Sequence, residues 1–219
     1  MLNRHASDRP EIRSSWTFDN LKQTGHIERM PQVSVRGKLV EHAETVFRRQ
    51  GFNGASVADI TNAANVPKGS FYNHFKSKEE LAAEIVRRYS RGTDLSMLGT
   101  EGVSAMERLR AHFTAQASRT NSTGVEYGCL LMTMASEGPV VGDEVGAAVR
   151  RSIAAWIGVL APVIEEGQRS GEISSEEPAG DLAAFLIDAF EGAGLRGKAT
   201  QDEVAAMRSL NLALNAIKA

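Results

Sequence analysis

The chain has a single cysteine, Cys129, so no internal disulfide framework can brace it; a lone thiol suits a reducing compartment, and the cytoplasm is the expected location. Its five histidines are scattered rather than paired at ligand spacing, which leaves no metal site to expect. No phosphate-binding glycine loop, HExxH pair or GxSxG elbow occurs. A thiol enzyme built on Cys129 would need His112 or another distant histidine beside it, so neither catalysis nor a cofactor is expected. No window approaches the roughly 20 uninterrupted apolar residues of a spanning helix, and no membrane segment is expected. Arg4, Arg9 and Arg13 have no apolar run behind them, unlike a secretory signal. Neither β-type alternation, an internal repeat nor a low-complexity tract stands out.

What remains is a chain of 219 residues, 42% of them hydrophobic, with ample material for a core and an uneven charge. Residues 34–92 carry a balance of +4 and residues 93–219 one of −7, while residues 1–33 add +1. A basic segment beside a larger acidic one points to a polyanion met at one end only. Residues 1–33 mix both signs of charge without sustained period and are expected to form a flexible arm. "MPQVSVRGKLVEHAE" reads as a fresh start at Met30, which makes the first 29 residues a dispensable extension or a misplaced start; the rival reading is a basic arm touching DNA.

From Ser34 onward the periodicity is helical. Leu39, Ala43, Val46 and Phe47 share one helix face, and Gly51 stands where a C-terminal cap belongs. Ser56 with Asp59 predicts a capping pair opening a second helix to about Ala63. Asn65 tolerates the left-handed turn that follows, and Pro67 suits the first position of a third helix of about two turns, ending near His74. Ser77 and Glu80 predict a second capping box and a helix through Leu81, Ile85 and beyond Tyr89. Met106, Leu109 and Phe113 mark a fifth helix and Tyr127–Glu137 a sixth. A long stripe from Val145 to about Arg169 marks a seventh, with a kink expected at Pro162. Two more follow Pro178. The expected class is all-α with about nine helices: an arm over 1–33, a small helical head over 34–80 and a larger helical domain over 81–219.

The second and third helices read as a helix-turn-helix. Ile60, Ala64, Val66, Phe71 and Phe75 supply its inner face, while Lys68, Gly69, Ser70, Tyr72 and Asn73 point outward. A helix N-terminus attracts phosphate, Lys68 adds a cation, Gly69 allows close backbone approach and Tyr72 can reach phosphate or a thymine methyl. His74 and Lys78 can reach flanking phosphates; Ser56 and Pro67, at the helix starts, complete the expected contact set. Pattern alone also permits a helical hairpin with a solvated polar face.

Residues from about Ser34 to Tyr89 closely resemble the N-terminal domain of TetR/AcrR-type transcriptional regulators. The run is carried by Val66, Pro67, Lys68, Gly69, Ser70, Phe71, Tyr72, His74, Phe75, Ser77, Lys78, Glu79 and Leu81, with Asn65 where glycine is frequent. The resemblance implies a homodimer that places two recognition helices on a near-palindromic double-stranded DNA operator, with half-sites about one helical turn apart or somewhat more. It also implies a small-molecule inducer, repression rather than activation, and a dimer built from the last two helices, with Leu182, Phe185, Leu186, Phe190, Met207, Leu210 and Leu214 as candidate interface. An intramolecular core suits those stripes equally well. Candidate ligand contacts are Met106, Phe113, Cys129, Met132, Met134 and Trp156, which could equally be ordinary core. "GCLLMTMASE" and "EGAGLRGK" resemble a subgroup that answers to electrophiles, acrylate-like compounds or multiple drugs, so Cys129 is either a reactive sensor or a small buried hydrophobe. The remaining alternative, a helical ligand-binding protein without specific DNA binding, is opposed by the intact Lys68, Tyr72 and Lys78.

Overall fold

The structure, a computed structural model, describes residues 34–121 and 128–219. The expected arm, the reading of Met30 and the expected helix start at Tyr127 lie outside the described residues. Eight α-helices follow one another: α1 Val35–Gly54, α2 Val57–Ala63, α3 Lys78–Arg91, α4 Ala105–Asn121, α5 Leu130–Ser136, α6 Asp143–Ser170, α7 Ala179–Thr200 and α8 Ala205–Ile217. Short 3₁₀ segments stand at Lys68–Asn73, Ser96–Gly99 and Gly138–Val141. Counting Lys68–Asn73 with the α-helices gives the nine expected. Among the described residues the only β feature is a single antiparallel bridge between Ile173 and Lys218, so the all-α class holds.

Local chemistry sets most of the boundaries. The Ser34 hydroxyl accepts from Gly37 N at 3.0 Å and starts α1. Ser56 and Asp59 form the expected reciprocal box, with Asp59 N to Ser56 Oγ at 3.1 Å and Ser56 N to Asp59 Oδ2 at 2.9 Å. Ser77 accepts from Glu80 N at 3.2 Å, but the Glu80 carboxylate takes the N–H of Lys76, at 2.7 Å, one residue earlier than a strict box requires. Asn65 adopts φ 51°, the left-handed turn its short amide side chain tolerates. Gly51, at φ 74°, breaks the regular part of α1, and a Cβ there would overlap the Glu137 carboxylate.

Two expectations need correcting. The third helix is 3₁₀ rather than α, with Pro67 at its N-cap (φ −59°, ψ 138°) instead of inside its first turn. Its short span leaves room for only a tight turn between Pro67 and the buried Phe71 and Phe75. Pro162 lies inside α6, which continues to Ser170 as the expected stripe requires; Pro162 and Gly158 are exposed, on the solvent side of the helix. Finally, α6 is long and apolar enough to cross a membrane by length and composition, its best 18-residue window having mean hydropathy 1.5. The apolar residues are interrupted often enough to hide this from a search for an unbroken run. In the fold α6 packs along α3 and α7, with Val145, Val149, Leu160 and Ile164 buried.

Two apolar cores result. The first joins α1, α2, Phe71, Phe75 and α3 to Leu130, Leu131 and Met134 of α5 and to Val145, Ala148 and Val149 at the start of α6. The second joins α4, the later half of α6, α7 and α8 around Leu109, Phe113, Leu160, Leu186, Phe190 and Leu210. Thus α5 packs both on α1 of the head and on α6, bridging the two.

Candidate DNA-binding surface and ligand cavity

The helix-turn-helix presents one polar face. Phe71 is fully buried and packs edge-on against Tyr72, ring centroids 5.2 Å apart, while Tyr72 itself is 62% exposed. Phe71 also lies 5.7 Å from Phe75, and Arg36 stacks on the far ring at 5.0 Å while pairing with Glu84. These anchors hold Pro67, Lys68, Gly69, Tyr72, Asn73 and His74 at the surface. Among the described residues the side chains of Lys68, Asn73 and His74 make no hydrogen bond or ion pair. The half-buried Ser70 donates its hydroxyl to Pro67 O at 2.6 Å, and Ser56 is exposed with its hydroxyl engaged by Asp59 at 2.6 Å.

Lys78 stands apart from this set. Its ammonium donates to Phe52 O at 2.6 Å and Ala55 O at 2.8 Å and lies 4.2 Å from the Phe52 ring centroid. Burial draws its pKa down, with the nearby Glu137 carboxylate opposing. It fixes the α1–α2 connection through these two carbonyls.

The larger half holds two adjoining cavities. One encloses about 100 Å³ between α3, α4, α5, α6 and α7, with Tyr89, Gln116, Cys129, Leu131, Ser152, Trp156, Phe190 and Glu191 in its wall. The other, about 150 Å³, adds Met132, Thr133, Ser136, Gly194 and Lys198 and shares Thr120, Cys129, Phe190 and Glu191 with the first. Of the expected ligand contacts, Cys129 and Trp156 line the first cavity and Cys129 and Met132 the second. Met106, Phe113 and Met134 line neither; all three are buried in the apolar cores, where helical spacing alone cannot separate wall from filling. Sequence reasoning missed Tyr89, Gln116, Ser152 and Glu191. The available signal was Glu191 itself, an acid four residues after the buried Ile187 on the apolar stripe of α7.

Electrostatics in the first cavity favour neutral forms. No Lys, Arg or His lines it among the described residues, and Glu191 is its one carboxyl group. Burial pushes Glu191 up to about 7, opposed by its hydrogen bond with the Cys129 thiol. Burial and then the charge of Glu191 push Cys129 up to about 12, so the thiol stays protonated; the Tyr89 hydroxyl lies 3.8 Å from its sulfur. Beneath the wall, Trp156 Nε1 donates to Nε2 of the fully buried His112 at 2.9 Å, and burial lowers that imidazole to about 4, which keeps it neutral.

The candidate dimer residues divide. Leu182, Leu186, Phe190, Leu210 and Leu214 are buried within their own chain, Met207 is half-buried and only Phe185, at 45%, is exposed. The strongest apolar stripe of each helix therefore serves the chain's own core, the alternative that the stripes had left open. Gly197 likewise works inside the chain, where a Cβ would stand 2.5 Å from Asp202 O at the α7–α8 turn.

Comparison with known proteins agrees with this geometry. Residues 39–85 match the family model for bacterial regulatory proteins of the tetR family, and residues 105–213 match the tetracyclin repressor-like C-terminal domain. The HTH-type transcriptional repressor DhaR of Mycobacterium sp. (strain GP1) is 36% identical over 172 residues, covering 77% of this chain and 85% of that protein. The transcriptional regulator AcuR of Cereibacter sphaeroides is 30% identical over 154 residues, 68% of this chain and 69% of its own. A solved TetR-family transcriptional regulator from Agrobacterium tumefaciens superposes with a TM-score of 0.77 at 25% identity, over 84% of this chain and 98% of that one. Head, helical body and both matched segments agree: the chain belongs to the TetR family of helix-turn-helix transcriptional regulators.

Proposed function

We propose that the protein is a sequence-specific repressor that binds a near-palindromic operator as a homodimer and is released by a small molecule entering the cavity beside Cys129. The observation that carries the reading is the outward face of Lys68–Asn73: a cation and a glycine open the segment and a largely exposed tyrosine stands near its end, on either side of the wholly buried Phe71. Tyr72 reads or braces a base edge; Lys68, Ser70, Asn73 and His74 hold phosphates; Pro67 and Ser56 fix the helix starts through which the backbone approaches the duplex. Two copies associate through the exposed face of α7 and α8, where Phe185, Ala189 and Gly192 recur at i, i+4 and i+7 beside the exposed Leu195 and Leu212. The cavity suits a small, largely apolar molecule that is not a carboxylate, since no lining cation would hold an anion and Glu191 would repel one.

Helix α3 joins the two activities. It begins at Lys78, which braces the helix-turn-helix, and in its last turn places Tyr89 and Ser90 in the cavity wall, about 17 Å on by helical rise. A ligand releases DNA only by binding one arrangement of that helix better than the other. The test is operator affinity of Tyr72→Ala and Lys68→Ala. Tyr72→Ala is expected to lose about 10-fold or more and to relax sequence preference; Lys68→Ala is expected to weaken binding to all sequences alike and to reduce the salt slope by about 1. Unchanged affinity in both variants would contradict the assigned face.

A further inference from the structure

Hydrogen bonds in the wall of the first cavity run in one direction. The Tyr89 hydroxyl of α3 donates toward the Cys129 sulfur at 3.8 Å, and the Cys129 thiol donates in turn to the Glu191 carboxylate of α7. The chain of donors ends on a group that accepts only, and an ionised carboxylate has room for several more donors. Among the described residues no ion pair joins Glu191 to a Lys, Arg or His. A buried carboxylate is normally paired, and the missing cation is why burial pushes Glu191 up to about 7.

Aromatic rings stand beside this acid. Trp156 of α6 and Phe190 of α7 line the cavity, and the fully buried Phe113 braces both from the core, with ring centroids 5.9 and 5.2 Å away. Tyr89, the third ring of the wall, already carries the Arg119 guanidinium 3.9 Å from its centroid. An aromatic face attracts a cation as well as an apolar group, and Trp156 and Phe190 are the rings left to do so.

We propose that Glu191 is the specificity-determining residue of the cavity and that its ligand class is a small monocationic amine, with the ammonium group on the Glu191 carboxylate and the apolar part against Trp156 and Phe190. This rests on the reading of the cavity as the regulatory site. A protonated amine supplies both things the wall lacks, further donors for the carboxylate and a compensating charge. A neutral carbonyl compound would require the acid to keep its proton, and an anion would meet its charge. Glu191 belongs to both adjoining cavities, of about 100 and 150 Å³, and an apolar cavity of about 150 Å³ accepts a benzene ring, so the amine carries no more than one ring or a short chain.

Calorimetric titration of the full-length protein with benzylamine, benzyl alcohol and benzoate tests it, because the three share a ring and differ in the charge of the head group. Benzylamine is expected to bind at least 10-fold tighter than benzyl alcohol at pH 8, and to release the duplex that the protein selects from random DNA; benzoate is expected not to bind. Between pH 6 and pH 8 benzylamine affinity is expected to rise about 10-fold, as Glu191 gives up its proton while the aliphatic amine keeps its own. Other titratable or charged groups surround the acid. Cys129 is pushed up to about 12 and Tyr89 is pushed up as well, His112 is lowered to about 4 behind Trp156, and Lys198, Asp202 and Glu203 line the second cavity. Arg119 lies over Tyr89, and Arg48 holds Gly128 O. Glu191→Gln separates these from Glu191: it is expected to abolish the preference for benzylamine and the rise with pH, while benzyl alcohol keeps its affinity within 3-fold. Ser152→Phe fills the first cavity and is expected to abolish binding of both; Ala155→Phe does the same if Ser152→Phe does not fold. Benzyl alcohol or benzoate bound as tightly as benzylamine, or a preference or pH rise that survives Glu191→Gln, would overturn the proposal and leave the cavity reading intact. Binding of none of the three or of the slimmer n-butylamine, or benzylamine binding unchanged in the filled cavity, would overturn the cavity reading and this proposal with it.

Discussion

The core beneath the recognition face and the core around the cavity treat their polar groups differently. In the first, Arg48 is bound to Gly128 O and the buried Thr61 hydroxyl donates to carbonyls of its own helix, 3.0 Å to Val57 O. In the second, Arg108 Nε and His112 Nδ1 are buried without a partner among the described residues, and Glu191 sits in an apolar wall against a thiol. A fully satisfied core specifies one arrangement, whereas unpaired donors and a strained acid leave alternatives close in energy. A reader of DNA needs the first property, and a site that must change shape on binding needs the second.

The contrast can be broken by mutation, starting from the rigid side. Phe71→Ala removes a wholly buried ring from beneath the recognition face and is expected to cost about 3–5 kcal/mol in chemical denaturation. A loss near 1 kcal/mol would mean that the head is as adaptable as the cavity.

The cavity side is sharpened by pH. Glu191 has a folded pKa of about 7 against an ordinary value of 4.5, so between those values the native state holds a proton that the unfolded chain has lost. Stability from this group is complete below pH 4.5 and falls as pH rises toward 7, by at most about 3 kcal/mol at 1.4 kcal/mol per unit. Glu191→Gln is expected to flatten that fall and to be more stable than the wild type at pH 8. Parallel stability–pH curves for the two proteins would remove Glu191 from the apolar wall. The smallest effect concerns the thiol: Cys129→Ser is expected to keep full operator affinity, and to keep its response to any inducer that acts without covalent capture, because a thiol with a pKa near 12 is a poor nucleophile.

The two regions also differed in how legible they were. Capping pairs, Asn65 and the buried Phe71 and Phe75 are local signals, and each reports the geometry of its own few residues. The outward face of the helix-turn-helix was therefore readable, except for Lys78, whose carbonyl partners at Phe52 and Ala55 lie more than 20 residues away and carry no motif. The cavity is assembled from five helices, so the wall positions of Gln116, Ser152 and Glu191 depend on how those helices cross. Apolar periodicity marks only which face of a helix is buried. For the same reason it left open whether the leucines of α7 and α8, which are buried within their own chain, meet a partner or the chain's own core.

The most direct test of the central claim is selection of bound duplexes from random DNA by the purified protein at near-physiological salt, where non-specific phosphate binding is weak. The account gives a near-palindrome with half-sites about one helical turn apart or somewhat more, bound by two chains and no longer enriched by Tyr72→Ala. Enrichment of no sequence, or of one asymmetric site bound by a single chain, would contradict it.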